Sequence, residues 1–152
     1  MMNRKPNSGF SLIELMVVIA IMAILVSIGY PIYTTYVEKT RRAAARSILL
    51  EGSQYLENFY NRSAGVPDYT QYVLTNGNII AAGDSLGDFA DDMSSNQALN
   101  YYNITVSAIT PTTYTLQAAL QGGYTDSAGC NTQTLNQLGV RTTNNPGNKC
   151  DW

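Results

Sequence analysis

One uninterrupted apolar run, from Phe10 to Tyr30, dominates the N-terminal part of the chain. The residues that interrupt its large apolar and alanine side chains are Ser11, Glu14, Ser27 and Gly29. At about 1.5 Å per residue, a helix over this run is roughly 30 Å long, which is enough to cross the hydrocarbon core of a bilayer. Because the run is apolar on every side, it predicts a membrane-spanning helix and not the surface helix of a soluble domain.

Three interpretations of this run are open, and Glu14 bears on all of them. The run could be a cleaved secretory signal, with Arg4 and Lys5 as its basic start and residues 27–29 as a small-x-small exit. It could be a plain membrane anchor, or a membrane helix that later becomes the packing core of a fibre. A lone carboxylate in a hydrophobic span is costly unless it finds a partner, and neither a signal nor an inert anchor needs one. Glu14 therefore favours the fibre interpretation.

A simpler role for Glu14 stays open beside this one. Ser11 and Glu14 are spaced as in a capping box, in which Ser11 is the N-cap and the Glu14 side chain returns to its backbone amide. The cleavage position separates the remaining alternatives. A cut after Gly9 would remove only a polar leader and keep the apolar helix, whereas a secreted soluble protein requires a cut after Gly29.

The stretch from Gly9 to Val18, GFSLIELMVV, resembles the processing site of type IV pilins and of their relatives, the pseudopilins of type II secretion. The resemblance implies that a prepilin peptidase cuts after Gly9 and that the new Phe10 amine is N-methylated. It also implies that Glu14 meets the Phe10 amine of another subunit. Ser11 stands where Thr is more usual, and the basic residues of the leader lie farther from the cut than in many members.

Pairing of Glu14 with a neighbouring Phe10 amine would set the register of assembly. Opposite charges attract strongly at low dielectric, but both lose hydration, so the net gain is far smaller than the Coulomb energy. A subunit docked out of register would leave both charges buried and unpaired, at a cost of about 3–5 kcal/mol. Glu14 is therefore predicted to act as a docking residue more than as a source of stability.

Gly29 and Pro31 mark either the end of the membrane helix or a kink inside a longer one. Proline has no amide to donate, and glycine loosens the same place. Helical periodicity resumes at once, and the resemblance implies one longer helix that melts locally here in assembled pili. Farther along, residues at three- and four-residue spacing predict the helix face that packs on a sheet: Ala45, Ile48, Leu49, Gly52, Leu56 and Phe59.

A basic cluster follows the membrane segment, formed by Lys39, Arg41, Arg42 and Arg46. A solvated helix face is the simpler interpretation of this cluster. The alternatives are contacts with lipid phosphates before the subunit leaves the membrane, or with Glu38 and Glu51 of neighbouring subunits afterwards.

The rest of the chain predicts a sheet after a long irregular connection. Residues 63–100 are rich in turn residues, with short helical pieces near 79–82 and 87–93. The strands that follow are predicted at 102–108, 114–120, 131–135 and 139–143. Apolar and polar residues alternate in the first two, as in antiparallel strands covered on one face. The fold class is therefore α+β, a long N-terminal helix packed on an antiparallel sheet of about four strands, and it is consistent with the ladle fold of pilins.

The predicted organisation is a cleaved leader, one long helix and one head. The leader is 1–9, the helix is 10–62 with its membrane-embedded part at 10–30, and the head is 63–152, divided into a loop region 63–100, a sheet 101–143 and a disulfide loop 130–150. Cys130 and Cys150 are the only cysteines, and an oxidising compartment favours a disulfide between them. In the chain-entropy model, closing a loop of about 20 residues contributes roughly 3 kcal/mol.

Charge and composition limit the chemistry of the head. Residues 1–62 carry seven basic and four acidic side chains, and residues 63–152 carry two and seven, so the head is acidic. Because Lys and Arg dominate affinity for phosphates, nucleic acid is not an expected partner. The chain has no histidine, and neither a metal nor a cofactor is expected. A cluster formed by Asp84, Asp88, Asp91 and Asp92 matches no EF-hand spacing, so a solvated acidic loop is a simpler interpretation than calcium binding.

The residues favour a structural role in a filament. The C-terminal Cys150-Asp151-Trp152 and the cysteine pair resemble PilE-like minor pilins, which implies a role in pilus assembly, twitching motility, adhesion or DNA uptake. The implied partners are other pilin subunits, the prepilin peptidase, the inner-membrane assembly machinery and the membrane before assembly. The chain would be a single-pass inner-membrane protein first and part of an extracellular pilus afterwards.

Two rival functions remain. One is a pseudopilin of type II secretion, which the cysteine pair disfavours. The other is a tip-located module that binds DNA or a host surface through Arg141 and Lys149. No nucleophile paired with a base, no metal-ligand spacing and no phosphate loop is present in the sequence, so an enzyme is not expected.

Overall fold

A computed structural model of the chain describes residues 10–74, 76–89, 93–145 and 150. The described regular elements are one helix, α1 (Leu12–Arg62), and four strands, β1 (Tyr102–Ile109), β2 (Tyr114–Leu120), β3 (Thr132–Asn136) and β4 (Arg141–Thr143). Four short 3-10 helices lie between them, at Tyr69–Gln71, Leu86–Asp88, Met93–Ser95 and Gln97–Asn100. The chain divides into two compact units, one ending at Val37 and the other, the head unit, starting at Glu38.

The core of the head unit is the predicted stripe of α1 packed on the sheet. Ala45, Ile48, Leu49 and Leu56 are fully buried, and they join a cluster with inward-facing residues of β1, β2 and β3. Gly52 is buried in the same stripe, where a Cβ would lie 2.6 Å from Leu86 Cδ2. This close approach explains a glycine on the core face of a helix. Phe59 is only partly buried, at the edge of the stripe, and packs edge-on against Tyr72 with ring centroids 5.3 Å apart.

The sheet is antiparallel throughout, in the order β1-β2-β3-β4. A register irregularity lies in β1 between Val106 and Ala108. The outer face carries a row that crosses all four strands through the pairs Thr105–Gln117, Gln117–Thr134 and Thr134–Thr142. This face is therefore neutral and polar along that row, as expected for strands with one solvated side.

The free edge of β1 is covered by the irregular region that precedes it. Ser85 forms an antiparallel bridge with Thr105. The Gly83 N–H donates to the Val106 carbonyl at 2.7 Å, and the Val106 N–H donates to the Asp84 carbonyl at 2.9 Å. The exposed edge of a sheet is a site of unwanted pairing, and these bonds protect it.

The expected helical piece at 79–82 is wrong. Ile79 instead pairs with Val73 in an antiparallel bridge, and the Ile80 N–H donates to the Tyr72 carbonyl at 2.9 Å. Between them Gly77 has φ = +83°, which a glycine adopts at no steric cost. Turn chemistry at residues 76–78 therefore closes a small hairpin here. The expected helical piece at 87–93 is found only as two separate 3-10 turns, with residues 90–92 outside the described part.

Candidate functional site

The apolar side chains of the N-terminal unit have no cover within the chain. Every residue from Phe10 to Tyr33 is exposed, Phe10 at 88% and Leu25 at 64%. The helix that carries them is long and apolar enough to span a membrane. Exposing so many large apolar side chains to water is unfavourable. This segment therefore requires lipid or another protein as its partner.

Glu14 is the one charged residue in the sequence between residues 10 and 37. Its Oε2 accepts a hydrogen bond from the backbone N–H of Ser11 at 3.0 Å, which is the glutamate half of the predicted capping box. The residue remains exposed. One carboxylate oxygen thus holds the first turn of α1, while the side chain stays accessible to a donor from another molecule. Phe10 belongs to the described residues, whereas Gly9 and the rest of the leader lie outside them.

The helix continues through Pro31, in agreement with the prediction of one longer helix. Proline cannot donate to the Ser27 carbonyl one turn earlier. The hydroxyls of Thr34 and Thr35 both donate to the Pro31 carbonyl, at 3.0 and 2.9 Å. Gly29 has no atom within 4 Å of where a Cβ would lie. The structure thus leaves Gly29 and Pro31 as a weakened point in a continuous helix, and local melting there stays a prediction.

The interpretation of the basic cluster as a solvated face is wrong for Arg42. Its side chain is 4% exposed and its Nη1 lies 3.0 Å from both carboxylate oxygens of Asp126. The Asp126 side chain is similarly buried, at 3%. Arg42 lies three residues before Ala45 on the core-facing stripe, so the helix turns it inward. Burial of this charge is tolerated because the carboxylate pairs with it.

Arg41 differs from its neighbours in packing on aromatic rings. Its guanidinium carbon lies 4.4 Å from the centroid of Tyr101 and 5.4 Å from that of Tyr124, and the two rings meet edge-on at 5.2 Å. Lys39 is exposed and Arg46 is half-buried. The four basic residues therefore do not form one surface.

A second polar cluster inside the head was missed by sequence reasoning. The Glu57 Oε1 accepts from the Tyr69 hydroxyl at 2.9 Å and from the Tyr114 hydroxyl at 3.0 Å, and Tyr114 also bonds Ser53 at 2.8 Å. Burial raises the pKa of Tyr114 to about 12, and burial together with the Glu57 bond also raises the pKa of Tyr69. These hydrogen bonds connect α1 with the 3-10 helix at Tyr69–Gln71 and with β2. The sequence gives no sign of this cluster, because tyrosines match the apolar pattern of a core.

The predicted disulfide between Cys130 and Cys150 is confirmed, with 5.5 Å between the two Cα atoms. The two basic residues assigned to its loop are not both described. Arg141 is exposed at the start of β4, while Lys149 lies outside the described residues.

Within the described part of the chain, no group of three or more potential metal-ligating side chains lies together. Asp84 Oδ2 accepts a hydrogen bond from the Ala81 N–H at 2.7 Å, as in a turn. Asp91 and Asp92 fall outside the described residues, so calcium binding by the aspartate cluster stays untested.

Two sequence families match the chain. The prokaryotic N-terminal methylation motif matches residues 4–30, and the family described as type IV minor pilin ComP, DNA uptake sequence receptor, matches residues 31–134. A long N-terminal helix that begins with this motif and packs on a four-stranded antiparallel sheet defines a type IV pilin. Because the second match covers more than half of the chain, the chain belongs to the ComP family of type IV minor pilins.

Individual proteins and solved structures are similar to parts of this chain. Two fimbrial proteins of Pseudomonas aeruginosa are each 37% identical over 79 residues, which is 45% of this chain and 47% of the relative. The matched stretch thus spans about half the length of these relatives. The non-core minor pilin PilV of Neisseria meningitidis has the same fold, with a TM-score of 0.50 and 22% identity over 76% of this chain and 95% of its own. A type IV pilin from Shewanella oneidensis is 24% identical, with a TM-score of 0.44, over 76% and 98% of the two chains.

The class carries three consequences. A pilin is a structural subunit and not an enzyme, as the sequence predicted. Pilin subunits assemble with other pilins, and the methylation motif implies processing by a prepilin peptidase. The methylation motif and the minor pilin family, together with the exposed apolar helix, imply anchoring in a membrane and then a place in a pilus.

Proposed function

We propose that this minor pilin is cut after Gly9, is N-methylated at Phe10 and docks into the filament through Glu14. The observation that carries the proposal is the exposed apolar segment with a single carboxylate one turn from its start. A new ammonium at Phe10 of a neighbouring subunit would find in Glu14 the one anion of that segment. Hydrophobic packing of residues 10–30 between subunits would replace the lipid, and the ion pair would set the register.

We predict that Glu14→Ala leaves the head folded but greatly reduces incorporation into pili, because the buried amine of the neighbour loses its partner. The measurement is the ratio of subunit in sheared pili to subunit in membranes. Gln54→Ala, which shortens an exposed polar side chain in the head part of α1, is the control and should enter normally. Intact mass should show both variants starting at Phe10 with one added methyl group. Normal incorporation of Glu14→Ala would refute the docking role.

The family match favours a second function, reception of DNA during uptake by the filament. The family that covers residues 31–134 is described as a receptor of the DNA uptake sequence. This runs against the expectation that nucleic acid is not a partner, which rested on the acidic head. We propose that the DNA contact is local and uses Arg141 on β4 together with Lys149, since net charge governs steering while single phosphates are bound by single cations.

The DNA proposal predicts weak, strongly salt-dependent binding by the full processed chain in detergent. An electrophoretic shift with a duplex carrying the uptake sequence should appear at low salt, and a scrambled duplex should bind less. The logarithm of the binding constant falls linearly with the logarithm of the salt concentration, and each phosphate contact contributes roughly 0.9 to the slope. The double variant with Arg141→Gln and Lys149→Gln should therefore have a slope smaller by about 2. Arg62→Gln, at the exposed end of α1, is the matched control. No shift of either duplex at low salt would remove this function.

A further inference from the structure

A buried pair of charged residues, Arg42 and Asp126, lies beside the disulfide. Among the described contacts, this pair touches the sulfur of Cys130 and not that of Cys150. Arg42 Nη1 lies 3.1 Å from the Cys130 Sγ, in addition to its two 3.0 Å contacts with Asp126. Cys130 is fully buried. The cluster thus brings a guanidinium from α1 against one sulfur of the bridge.

Asp126 holds this arrangement together from the loop that follows β2. Its Oδ1 accepts from the backbone N–H of Ala128 at 2.9 Å and of Cys130 at 3.3 Å, besides the Arg42 guanidinium. The loop is therefore folded around the carboxylate, and the cysteine that ends it is fixed next to Arg42. Three donors, the Arg42 Nη1 and two backbone N–H groups, share the carboxylate charge, and the guanidinium is the charged group that directly contacts the sulfur.

Cys150 has a different environment. It is partly exposed, and its Sγ lies 4.0 Å from the carbonyl oxygen of Ala128. A carbonyl oxygen carries partial negative charge and gives a thiolate no stabilisation, whereas a neighbouring Arg lowers the pKa of a thiol. Among the contacts of the described residues, access and electrostatics therefore distinguish the two sulfurs in the same direction.

We propose that this disulfide opens and closes with a fixed polarity, in which Cys150 is the sulfur attacked by an outside thiol and Cys130 is the leaving group stabilised by Arg42. A thiolate of a small thiol or of a dithiol oxidoreductase bonds to the Cys150 Sγ. The bond between the two cysteine sulfurs breaks, and its electron pair leaves on Cys130 as a thiolate. A second outside thiolate then attacks the outer sulfur of the mixed disulfide, releases Cys150 and forms one outside disulfide.

The same geometry fixes the order of events in oxidation. An outside disulfide first transfers one sulfur to the thiolate of the accessible Cys150, releasing its other half as a thiolate. The Cys130 thiolate beside Arg42 then attacks the Cys150 Sγ and expels the outside thiol, which completes the bridge. Thiol–disulfide exchange is faster when the leaving thiol has a lower pKa. Cys130 is the leaving thiol only during reduction, so the guanidinium is expected to speed mainly the reduction of the bridge. Tyr102 also interacts with Asp126 and with the guanidinium groups of Arg42, Arg41 and Arg46, and it is neutral near pH 8 because burial and Asp126 raise its pKa to about 12.

The direct test maps the first sulfur that reacts. The full processed chain in detergent is treated with excess reduced glutathione at pH 8, quenched with acid before half of the bridge is opened, and alkylated. Cleavage after Arg141 separates the two cysteines onto different peptides for mass spectrometry. We expect the glutathione adduct on Cys150 in at least tenfold excess. Adducts on Cys130, or equal amounts on both, would overturn the proposal.

A second test asks whether substitution of Arg42 makes reduction of the disulfide faster or slower. If Arg42 only holds the loop, Arg42→Gln leaves Asp126 unpaired, loosens the loop and speeds reduction of the bridge. If Arg42 stabilises the leaving thiolate, the variant is reduced more slowly, by about threefold for each unit by which the pKa of Cys130 rises. The reduction rate of Arg42→Lys should be close to that of the wild type. The reduction rate of the control Arg62→Gln should equal that of the wild type.

Faster reduction of folded Arg42→Gln would therefore reject the role of Arg42. Far-ultraviolet circular dichroism of the oxidised variant checks the fold. Should that variant be unfolded, the mapping in the wild-type chain decides by itself.

Discussion

At the scale of single residues, the head is organised by charged groups that the hydrophobic pattern assigns to the surface. The sequence pattern groups Arg42 with three basic neighbours on a solvated face, because a pattern contains only polarity and spacing. Its partner Asp126 is 84 residues away in sequence, so no local signal links the two. The useful signal was position: Arg42 lies on the stripe of Ala45 and Leu49, and a charge on a core face is rarely buried unless it is paired.

The buried tyrosines make the stability of the head sensitive to alkali. Burial, with a further contribution from Asp126, raises the pKa of Tyr102 from 10.0 to about 12. The unfolded chain therefore loses this phenol proton at lower pH than the folded chain does. The stabilisation from the raised pKa is fully present below pH 10 and is lost as the pH rises through about 12.

We accordingly predict that the free energy of unfolding falls steadily between pH 10 and 12, and that Tyr102→Phe makes this fall shallower. The measurement is denaturant unfolding followed by circular dichroism at a series of pH values. The same variant at pH 8 is the control for any lost packing. An unchanged alkaline slope in Tyr102→Phe would contradict the assignment.

At the scale of elements, the regular segments were predicted well and the irregular ones were not. The stripe of α1 and the alternation of β1 and β2 depend on local periodicity, which the sequence displays directly. The hairpin over residues 72–80 depends on which loop residues find backbone partners. Its bridge between Val73 and Ile79 forms because Gly77 reverses the chain, and apolar residues alone gave no sign of pairing.

The close contact of α1 with the Leu86 turn predicts a size limit at Gly52. A Cβ there would lie 2.6 Å from Leu86 Cδ2 and 3.4 Å from Leu116 Cδ1, and both leucines are fully buried. Overpacking a core costs about 1–3 kcal/mol. Alanine offsets part of this through a helix propensity about 1 kcal/mol better than that of glycine.

Gly52→Ala should therefore change the free energy of unfolding little, and Gly52→Leu should lower it by roughly 2–3 kcal/mol or more. Denaturant midpoints of the oxidised variants measure the difference. A leucine variant as stable as the wild type would show that the Leu86 turn moves freely.

At the scale of the whole molecule, the two units have opposite needs. The head unit buries its own core and is tied by one disulfide, whereas the N-terminal unit exposes its apolar side chains and must find cover elsewhere. The head unit therefore has a core of its own, whereas the N-terminal unit requires cover from a membrane or an assembly. The membership in a minor pilin family agrees with this physical requirement.

We predict that reduction lowers the free energy of unfolding of the head by about 3 kcal/mol, because the open loop regains conformational entropy in the unfolded state. Unfolding curves with and without reductant measure the loss. Cys130 and Cys150 are the only cysteines, so the reductant has no other target in the chain. Substitution of both cysteines by alanine should reproduce the effect, and curves that coincide with and without reductant would contradict it.

The sequence by itself determined the class of this protein. The apolar run, its position directly after Gly9 and the single Glu14 are local features of the sequence. Insertion into a membrane and recognition by a processing enzyme depend on such local features. The stripe of α1 and the alternating strands likewise follow from the period of hydrophobic residues.

Only the tertiary structure decided which polar groups are buried and what they contact. The pairing of Arg42 with Asp126, the contact of Arg42 with Cys130 and the two tyrosines on Glu57 join residues far apart in sequence. A buried charge or hydroxyl is tolerated only when a partner reaches it. That partner is supplied by the folded chain, so its identity cannot be seen in the order of the residues alone.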